Sequence, residues 1–465
     1  MGITAELAGF SAGLSLERLP PAVTERAKLL MLDLLGNIVR ARHDAESTPA
    51  LLSAARALGL AAGNAAVFGD SARYTPAGAA LLNAALGHSL DFDDTHAAGT
   101  LHPGCPVIPA AIAAGEMAGA SGPVVLAGIV AGYEVACRTA LALPAAEHYA
   151  RGFHPTATCG AFGAAAAAAR VLGLDAERIE SALGIALSQA AGSLQFLVDG
   201  AWTKRFQVGW ASMAGLTAAV LAREGFKGAT EALEGRHGFL GAYAPAPDPA
   251  RATQALGIEW ELMQTAIKPY PSCRYGHAGI DAAIALHHEP GLDRSRIERV
   301  VYGTSVSGMT LVGDPIEQRR DPRNVVDGQF SGPFVIAAGL LTGQMGWDSY
   351  DLLHDKSIRA LLPLISCEVD PEVQALAPAQ MAGKLTVVAD GRTWQRFVAI
   401  PKGEPDHFLS DAEVRAKFMG LTVPILGEAQ AGQLADAALS LDRAPGLGGL
   451  TRLAAPSVGS RLAGD

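Results

Sequence analysis

GAFGAAAAAAR, residues 160–170, decides the class of fold, because nine of its eleven residues are alanine or glycine. A second stretch of the same kind, WASMAGLTAAV, spans residues 210–220. Small side chains let helix axes approach each other closely. Membrane bundles use similar stripes of small residues, but breaks and charges interrupt these segments. We therefore expect a tightly packed helical core of a soluble protein.

The sequence around these stretches, over the first 230 residues, predicts one helix after another. In Ala22–Arg40, apolar residues recur at spacings of three and four and so share one helical face. Cap residues mark three further helices. These are Thr75 before a helix to about Ser89, Asp175 before residues 176–191, and Thr203 before a helix that ends at Gly225.

The pattern changes near residue 265. RIERVVYGTSV, residues 296–306, is rich in β-branched residues and predicts a strand. Within residues 383–400, Asp390-Gly391 separates two strand-like runs, which predicts a hairpin. Helical patterns lie between these segments, over 275–288, 330–341 and 349–362, and return after about residue 408.

These patterns predict two domains. A large all-helical domain is expected from residues 1–265 and 403–465, and a smaller α+β domain from residues 266–402. The length of 465 residues agrees with two or three domains. An apolar content of 49% excludes a disordered chain. The net charge of −10 and the lack of a Lys/Arg-rich run argue against a nucleic-acid partner.

The cysteines and the N-terminus bear on the cellular compartment. Five scattered cysteines without a CxxC pair predict neither a disulfide framework nor a zinc site. The first ten residues, MGITAELAGF, lack the pattern of a signal peptide. The longest apolar region, Gly104 to Cys137, is interrupted by prolines and glutamates, so no membrane span is expected. These features predict a cytoplasmic protein.

The densest polar cluster is DFDDTH, residues 91–96, which is followed by His102. Carboxylates and imidazoles are costly to bury unpaired, and they suit general acid–base catalysis or ligand binding. A solvated acidic loop is one alternative, although acids at a helix C-terminus oppose the helix dipole. A metal site is another, but neither HExxH nor EF-hand spacing is present.

Two further clusters mark helix starts. His154 precedes Pro155 and is therefore expected at or beside an N-cap, where free N–H groups can bind an anion. The alternative for His154 is a simple cap. Lys204 and Arg205 fall in a first helical turn, where cations are unfavourable. This misfit suggests an anionic ligand or a carboxylate partner, and exposed, snorkelling side chains are the alternative.

The fourth cluster, KPYPSCRYGH, spans residues 268–277 at the change of domain texture. Clefts form at such junctions, and a plain hinge is the alternative. Five of its residues can transfer protons or bind carboxylates: Lys268, Cys273, Arg274, Tyr275 and His277.

Together, the clusters gather lysine and arginine in an otherwise acidic protein, which predicts a small anionic substrate such as a carboxylate. No GxGxxG, Walker A or GxSxG motif stands in a suitable context. We expect chemistry without a nucleotide or organic cofactor and without a metal.

The sequence resembles the MmgE/PrpD family over nearly its whole length. The successive motifs that carry the resemblance are LDFDDTH and HPG (90–104), RGFHPTATCGAFGAA (151–165), ALSQAAGS (186–193), TKRFQVGWASMAG (203–215) and KPYPSCRYGHAGID (268–281). The family includes 2-methylcitrate dehydratases, cis-aconitate decarboxylases and iminodisuccinate epimerases. The resemblance implies a homodimer in which each chain has a large helical domain and a smaller α+β lid domain.

The resemblance also implies a set of active-site positions. They are Asp91, Thr95, His102, His154, Lys204 and Lys268, and residues of 268–277 would line the same cleft. Cys273 stands where the decarboxylase pattern carries a histidine, and the spacing from Thr95 to His102 is one residue longer than in that subgroup. Both departures argue against decarboxylation of the same substrate.

The leading functional prediction is a cofactor-independent lyase of the 2-methylcitrate dehydratase type. His102 or His154 would act as base or acid, Asp91 would orient, and Thr95 would bind substrate. Lys204, Lys268 and Arg274 would hold carboxylates. Cys273 and His277 complete the catalytic candidates, and Asp94, Arg205 and Tyr275 complete the substrate-binding ones.

Three alternatives remain open. An iminodisuccinate-type epimerase needs the same carbanion but returns the proton to the other face, and the Cys273 thiol could serve as its second base. The others are a cis-aconitate decarboxylase-like enzyme and a non-catalytic carboxylate-binding protein.

Overall fold

The computed structural model describes residues 2–456, which divide into two compact units. The first unit comprises the residues up to Ala266 and those from Asp411 onward, and the second comprises Ile267–Ser410. The chain is thus a mostly helical two-domain protein, and both ends of its sequence contribute to the first unit. Residues 457–465 of the predicted C-terminal segment lie outside the described part.

The elements follow in chain order. Up to Ala266 they are α1 (Ile3–Gly13), α2 (Pro21–Asp44), α3 (Thr48–Ala57), β1 (Ala65–Ala66), β2 (Arg73–Tyr74), α4 (Pro76–Gly87), β3 (Thr95–His96), α5 (Gly104–Ala118), α6 (Gly122–Leu141), α7 (Ala145–Ala150), α8 (Pro155–Val171), α9 (Ala176–Leu187), α10 (Phe196–Asp199), α11 (Thr203–Arg223), α12 (Phe239–Tyr243) and β4 (Thr265–Ala266). The second unit holds α13 (His277–His287), β5 (Ile297–Thr304), α14 (Val306–Gly308), α15 (Ile316–Arg319), α16 (Val325–Gln329), α17 (Gly332–Thr342), α18 (Lys356–Leu361), β6 (Ile365–Val369), α19 (Pro371–Gln374), β7 (Gly383–Ala389) and β8 (Arg392–Val398). From Asp411 onward follow α20 (Asp411–Leu426), α21 (Glu428–Leu439) and α22 (Gly448–Arg452).

The alanine-rich helix α8 forms the centre of the first unit, where it packs against α5, α6, α9 and α11. At the crossing with α6, a Cβ atom on Gly163 would lie 2.6 Å from the carbonyl oxygen of Gly132. At the crossing with α11, a Cβ atom on Gly215 would lie 2.4 Å from the Cβ of Ala164. The backbones therefore approach too closely for larger side chains, which confirms the prediction made from the small-residue stretches.

Two of the three predicted caps are confirmed. The hydroxyl of Thr75 accepts a hydrogen bond from the main-chain N of Gly78, and the carboxylate of Asp175 accepts one from that of Arg178. The prediction for Thr203 is wrong, because this residue is the first of α11 and its N-cap position is occupied by Trp202, whose side chain cannot accept such a bond.

The apolar region Gly104 to Cys137 covers most of α6, which is the one helix of the described residues long and apolar enough to span a membrane. Pro123 stands in its first turn, where proline does not interrupt a helix. Of its most apolar stretch, 94% is buried within the unit. Glu134 and Arg138 on this helix form a buried ion pair at 2.8 Å. Burial of this kind is typical of a core helix.

The second unit is built on a four-stranded sheet in the order β6-β5-β7-β8. β5 and β6 are parallel, and the other two neighbouring pairs are antiparallel. The predicted strand and hairpin are confirmed, and Asp390 and Gly391 in the turn have φ angles of 46° and 68°. Side chains of β7 alternate between buried and half-buried, and α13 packs against β7 and β8. This arrangement gives the second unit a core of its own.

Candidate active site

The polar segment 91–96 forms the loop after α4, and two side chains clamp it from α2 and α20. Nδ2 of Asn37 and Nζ of Lys417 donate to the carbonyl oxygen of Phe92, at 3.4 and 2.7 Å. Lys417 also pairs with Asp33 at 2.5 Å, and its Nζ lies 3.7 Å from the centre of the Phe92 ring. The clamp adjoins Asp91, whose φ of 54° is rare for residues other than glycine.

Asp93 lies at the centre of a buried cluster. Its Oδ2 accepts hydrogen bonds from Nδ1 of His88 at 2.7 Å and from Sγ of Cys105 at 3.0 Å, and Nδ1 of His102 lies 3.1 Å away. Burial alone would raise the pKa of Asp93, but the neighbouring His102 and His88 outweigh it and hold that pKa well below its usual range. Asp93 is therefore an anion that two imidazoles share.

Three imidazoles lie together beside this carboxylate. The ring centre of His88 lies 4.9 Å from that of His102 and 5.7 Å from that of His154. Burial lowers the pKa of His88 to about 4. Burial, followed by the repulsion that a protonated His88 would exert, also lowers the pKa of His154 well below its usual value. His88 and His154 are therefore neutral at neutral pH, and the side chain of His102 keeps 17% of its exposure.

Lys204, in the first turn of α11, forms an ion pair with Asp91, because Nζ donates to Oδ1 at 2.9 Å. Burial lowers the pKa of Lys204, but the charges of Asp91 and Asp93 raise it by more. The ammonium in turn helps to lower the pKa of both His88 and His154, so it lies near the imidazoles. The cation that was out of place at a helix start thus has the carboxylate partner that the sequence suggested.

Asp94 and Arg205, both predicted to bind substrate, have partners within the first unit. The carboxyl of Asp94 accepts hydrogen bonds from the main-chain N of Gly104 at 3.1 Å and from the hydroxyl of Tyr133 at 2.7 Å. Burial raises the pKa of Asp94 to about 8. Nη1 of Arg205 donates to Oγ of Ser47 at 3.1 Å. These contacts give both side chains a structural role, and their predicted roles toward substrate stay predictions.

Thr95 and His102 lie near the same loop but differ in their hydrogen bonds. Thr95 lies in β3, and its buried Oγ1 has no hydrogen-bond partner within residues 2–456. Leaving a buried hydroxyl unpaired is unfavourable, which fits its predicted contact with a ligand. The main-chain N of His102 donates to Oγ1 of Thr156 in the first turn of α8, at 3.1 Å. His154 itself is the N-cap residue of α8, as predicted, without a side-chain cap.

The solvated-loop alternative is wrong for this segment. Asp93 and Asp94 are 0% and 3% exposed, and His88 is 1% exposed. The Asp93 carboxylate is stable in this setting because imidazole and thiol groups donate to it, and the Asp94 carboxyl group accepts from a hydroxyl and a main-chain N–H.

The second unit holds the candidates of the fourth cluster. Lys268 and His277 are buried, and Nε2 of His277 lies 3.3 Å from the carbonyl oxygen of Ser272. Cys273 is 8% exposed, belongs to the apolar core of the unit, and donates its main-chain N–H to the carbonyl of Gln329.

Arg274 and Tyr275 have partners inside the same unit. The guanidinium of Arg274 forms a bidentate pair with Glu404, with Nε 3.2 Å from Oε1. The carbonyl oxygen of Tyr275 accepts a hydrogen bond from the hydroxyl of Tyr302 at 2.5 Å. Glu404 compensates the charge that was predicted to bind a substrate carboxylate, and the functional roles proposed for this cluster stay predictions.

His88, Asp93 and Cys105 are the group of the described residues best placed to hold a metal ion, since their ligand atoms lie within 4.8 Å of one another. A thiol must lose its proton to bind a metal. Burial, followed by the charge of Asp93, raises the pKa of Cys105 well above its usual value, so the proton stays on sulfur and is donated to Asp93. The side chains of His88 and Cys105 are thus joined by hydrogen bonds to the same oxygen of Asp93.

Sequence reasoning missed three residues of this site. It gave no role to Asp93, which is the carboxylate beside His102. Gln207, which contacts His154, follows Lys204 by three positions and so shares its face of α11, a spacing that could have revealed it. His88 immediately follows α4 and carried no signal beyond its nearness to the acidic segment.

Comparison with known proteins shows matches along most of the chain. The MmgE/PrpD N-terminal domain matches residues 5–252, and the MmgE/PrpD C-terminal domain matches residues 270–443. A cis-aconitate decarboxylase-like protein, oryM, of Aspergillus oryzae is 29% identical over 95% of this chain and 94% of its own. Cis-aconitate decarboxylase of Aspergillus terreus is 28% identical over the same shares, and that of Homo sapiens is 28% identical over 80% of this chain and 77% of its own.

Proposed function

The chain belongs to the MmgE/PrpD family, and from this premise we propose that it is a lyase. Its substrate would be a small di- or tricarboxylic acid, at which it makes or quenches a carbanion next to a carboxylate. No organic cofactor or metal takes part in this proposal. The relatives named above are cis-aconitate decarboxylases or similar to one, and decarboxylation passes through the same kind of carbanion.

One observation carries the proposal: a partly exposed imidazole, His102, and a carboxylate-paired ammonium, Lys204, belong to the same cluster. Loss of a proton next to a carboxylate places negative charge on the carboxylate oxygens. A base is needed to take the proton, and a fixed cation is needed to stabilise the charge that develops. His102 can supply the first and Lys204 the second.

Dehydration of a 2-methylcitrate-like acid is the leading candidate. In that reaction a base removes the proton, and the electron pair of the C–H bond forms the new double bond. The C–O bond then breaks, and the departing hydroxide takes up the proton and leaves as water. Cys273 supports this choice over decarboxylation of cis-aconitate, because the decarboxylase pattern carries a histidine there. An epimerase of the iminodisuccinate type is the second candidate, since such a reaction needs a second base and a thiol such as that of Cys273 can act as one.

Proton NMR in deuterium oxide separates these candidates, with 2-methylcitrate, citrate, cis-aconitate and aspartate-derived acids as substrates. A dehydratase forms an alkene from a hydroxy acid. A decarboxylase consumes cis-aconitate and releases carbon dioxide. An epimerase exchanges the α-proton for deuterium without net loss of the acid. Thermal-shift binding with none of these changes would favour the non-catalytic carboxylate-binding alternative and would overturn the proposal.

The remaining family expectations belong to the same proposal. They are a homodimer, a cytoplasmic location and the role of a lid for the second unit. Size-exclusion chromatography with light scattering tests the first, and a mass near 47.8 kDa would contradict it.

A further inference from the structure

The Nδ1 atoms of His102 and His154 face different kinds of group: a hydrogen-bond acceptor beside His102 and a hydrogen-bond donor beside His154. An ionised carboxylate can only accept hydrogen bonds. Nδ1 of His102 lies 3.1 Å from Oδ2 of Asp93, at ion-pair distance, and makes no regular hydrogen bond within the described chain. A lone pair on Nδ1 would face the negative oxygen. The neutral ring of His102 is therefore stable with its proton on Nδ1 and its lone pair on Nε2.

Gln207 favours the other tautomer in His154, with the lone pair on Nδ1. Oε1 of Gln207 accepts a hydrogen bond from the main-chain N of Ser193 at 2.8 Å, and Nε2 donates to the carbonyl oxygen of the same residue at 3.2 Å. If the amide of Gln207 were flipped, its oxygen would face the carbonyl oxygen of Ser193 and its NH₂ group would face the main-chain N–H of Ser193. These two contacts therefore fix the orientation of the Gln207 amide. Nε2 of Gln207 is then the atom that lies 2.9 Å from Nδ1 of His154. Because Nε2 donates, Nδ1 of His154 must accept.

We propose that Asp93 and Gln207 are positioning residues that hold His102 and His154 in opposite tautomers. His102 presents a lone pair on Nε2 and serves as the base. His154 presents an N–H on Nε2 and serves as a neutral hydrogen-bond donor. This division goes beyond the proposed function, which gives His154 no role and does not say what holds either ring, and the assignment of catalytic roles rests on that function. The tautomers themselves do not depend on it.

The proposal accounts for a complete proton cycle. Nε2 of His102 takes the α-proton of the acid, and the resulting imidazolium is stabilised by Asp93 through Nδ1. His154 donates a hydrogen bond to the oxygen on which negative charge develops and keeps its proton. In a dehydration, His102 then passes the proton to the departing hydroxide, which leaves as water, and the neutral imidazole is restored. A neutral histidine in the role given to His154 is known from other enzymes of carbanion chemistry.

The imidazole nitrogens themselves provide the test. Protein labelled with 15N in its histidine rings is studied at pH 8 without substrate, because protonated and unprotonated ring nitrogens have well-separated shifts. His102→Gln and His154→Gln, made singly, assign the signals. We expect the proton on Nδ1 in His102 and on Nε2 in His154. The same tautomer in both rings, or the reverse pair, would overturn the proposal.

Gln207→Glu sharpens this test, because a carboxylate cannot donate to Nδ1 of His154. We expect the proton of His154 to move to Nδ1 while His102 keeps its tautomer. Gln318→Glu, an exposed change in the second unit, is the matched control and should move neither. If Gln207→Glu does not fold, the wild-type spectrum alone still shows whether the two rings hold opposite tautomers. The two proposals can fail separately. If the spectra show the expected tautomers but the protein converts none of the tested acids, the proposed function is refuted and the inference about the tautomers is confirmed.

Discussion

Nζ of Lys204 donates to Oδ1 of Asp91 at 2.9 Å, although the two residues are 113 positions apart. The pair sets a cation at the start of α11, where the helix dipole disfavours it, and the Asp91 backbone adopts a positive φ to meet it. The contact between Lys204 and Asp91 therefore depends on two locally unfavourable features, a cation at a helix start and a positive φ at an aspartate. Such local strain often marks a functional site.

Lys204→Met should abolish most turnover without unfolding the protein. The ammonium is proposed to stabilise charge on the substrate carboxylate, and removal of one positioned electrostatic group lowers kcat by about 10²–10³-fold. Steady-state kinetics on whichever acid is converted, with circular dichroism for the fold, measures this. Lys227→Met, an exposed lysine of the same unit, should keep wild-type rates. Wild-type turnover in Lys204→Met would refute the role.

Lys417 should position the loop of residues 91–96 as well as stabilise the fold. Lys417→Met leaves the buried Asp33 without this cation and Phe92 without its donor. Removal of one member of a buried pair destabilises by about 3–5 kcal/mol, which urea unfolding can measure. The double variant Lys417→Met/Asp33→Asn removes the unpaired charge, so we expect it to recover part of that stability.

The double variant separates the two roles of Lys417. If the clamp on Phe92 positions Asp91, activity should stay low after stability returns, and kcat should fall more than KM rises. Activity that recovers together with stability would show that Lys417 acts on the fold alone.

The free energy of unfolding should fall as pH rises from about 6.5 to 8. Burial raises the pKa of Asp94 to about 8 and that of Glu134 to about 7, so the folded state keeps protons there that the unfolded state has lost. Each such group gives a negative slope of up to about 1.4 kcal/mol per pH unit. His88 and His154, with lowered pKa, oppose this slope only below about 6.5.

Asp94→Asn tests which group produces the slope. An asparagine cannot lose a proton, so the fall between pH 7 and 8 should flatten in urea titrations at these pH values. Asp248→Asn, an exposed carboxylate of the same unit, should leave the slope unchanged. An unchanged slope in Asp94→Asn would contradict the raised pKa.

Gly163→Ala should destabilise the helical core. Its Cβ would lie 2.6 Å from the carbonyl oxygen of Gly132 on α6, and both backbones are buried. Overpacking of this kind destabilises by about 1–3 kcal/mol. Gly420→Ala in α20 has open space around the new methyl group, so helix propensity should make it stabilising by up to about 1 kcal/mol. Equal effects of the two changes on the melting temperature would contradict the close approach.

The features that sequence reasoning predicted are those that neighbouring residues determine. Caps at Thr75 and Asp175, the turn at Asp390-Gly391, and the small-residue helices follow from local geometry and side-chain size. A partner's identity, by contrast, depends on which distant segment the fold brings close. The spacing from Lys204 can indicate that Gln207 faces the site, but no local pattern indicates that it contacts His154, 53 positions away.

The acidic segment shows the same limit at a single loop. Asp91, Asp93 and Asp94 are nearly adjacent in sequence, yet they become an ion-pair partner of Lys204, a buried anion between imidazoles, and a carboxyl of raised pKa. Only the surroundings of each carboxyl distinguish these states. Sequence reasoning therefore located the acidic segment but could not tell these three carboxyl groups apart, and the orienting role predicted for Asp91 stays a prediction.

Cys273→Ser decides whether the thiol takes part in proton transfer. Under the lyase proposal Cys273 is a core residue of the second unit, so turnover should stay within about tenfold of wild type, since conservative core changes act mainly on stability. Under the epimerase alternative the thiol is the second base, and loss of a general base lowers the rate by about 10²–10⁴-fold. Cys367→Ser in β6 is the control for the loss of a thiol. A large loss of α-proton exchange in Cys273→Ser alone would replace the lyase with the epimerase, because only that reaction needs a base on each face of the carbon.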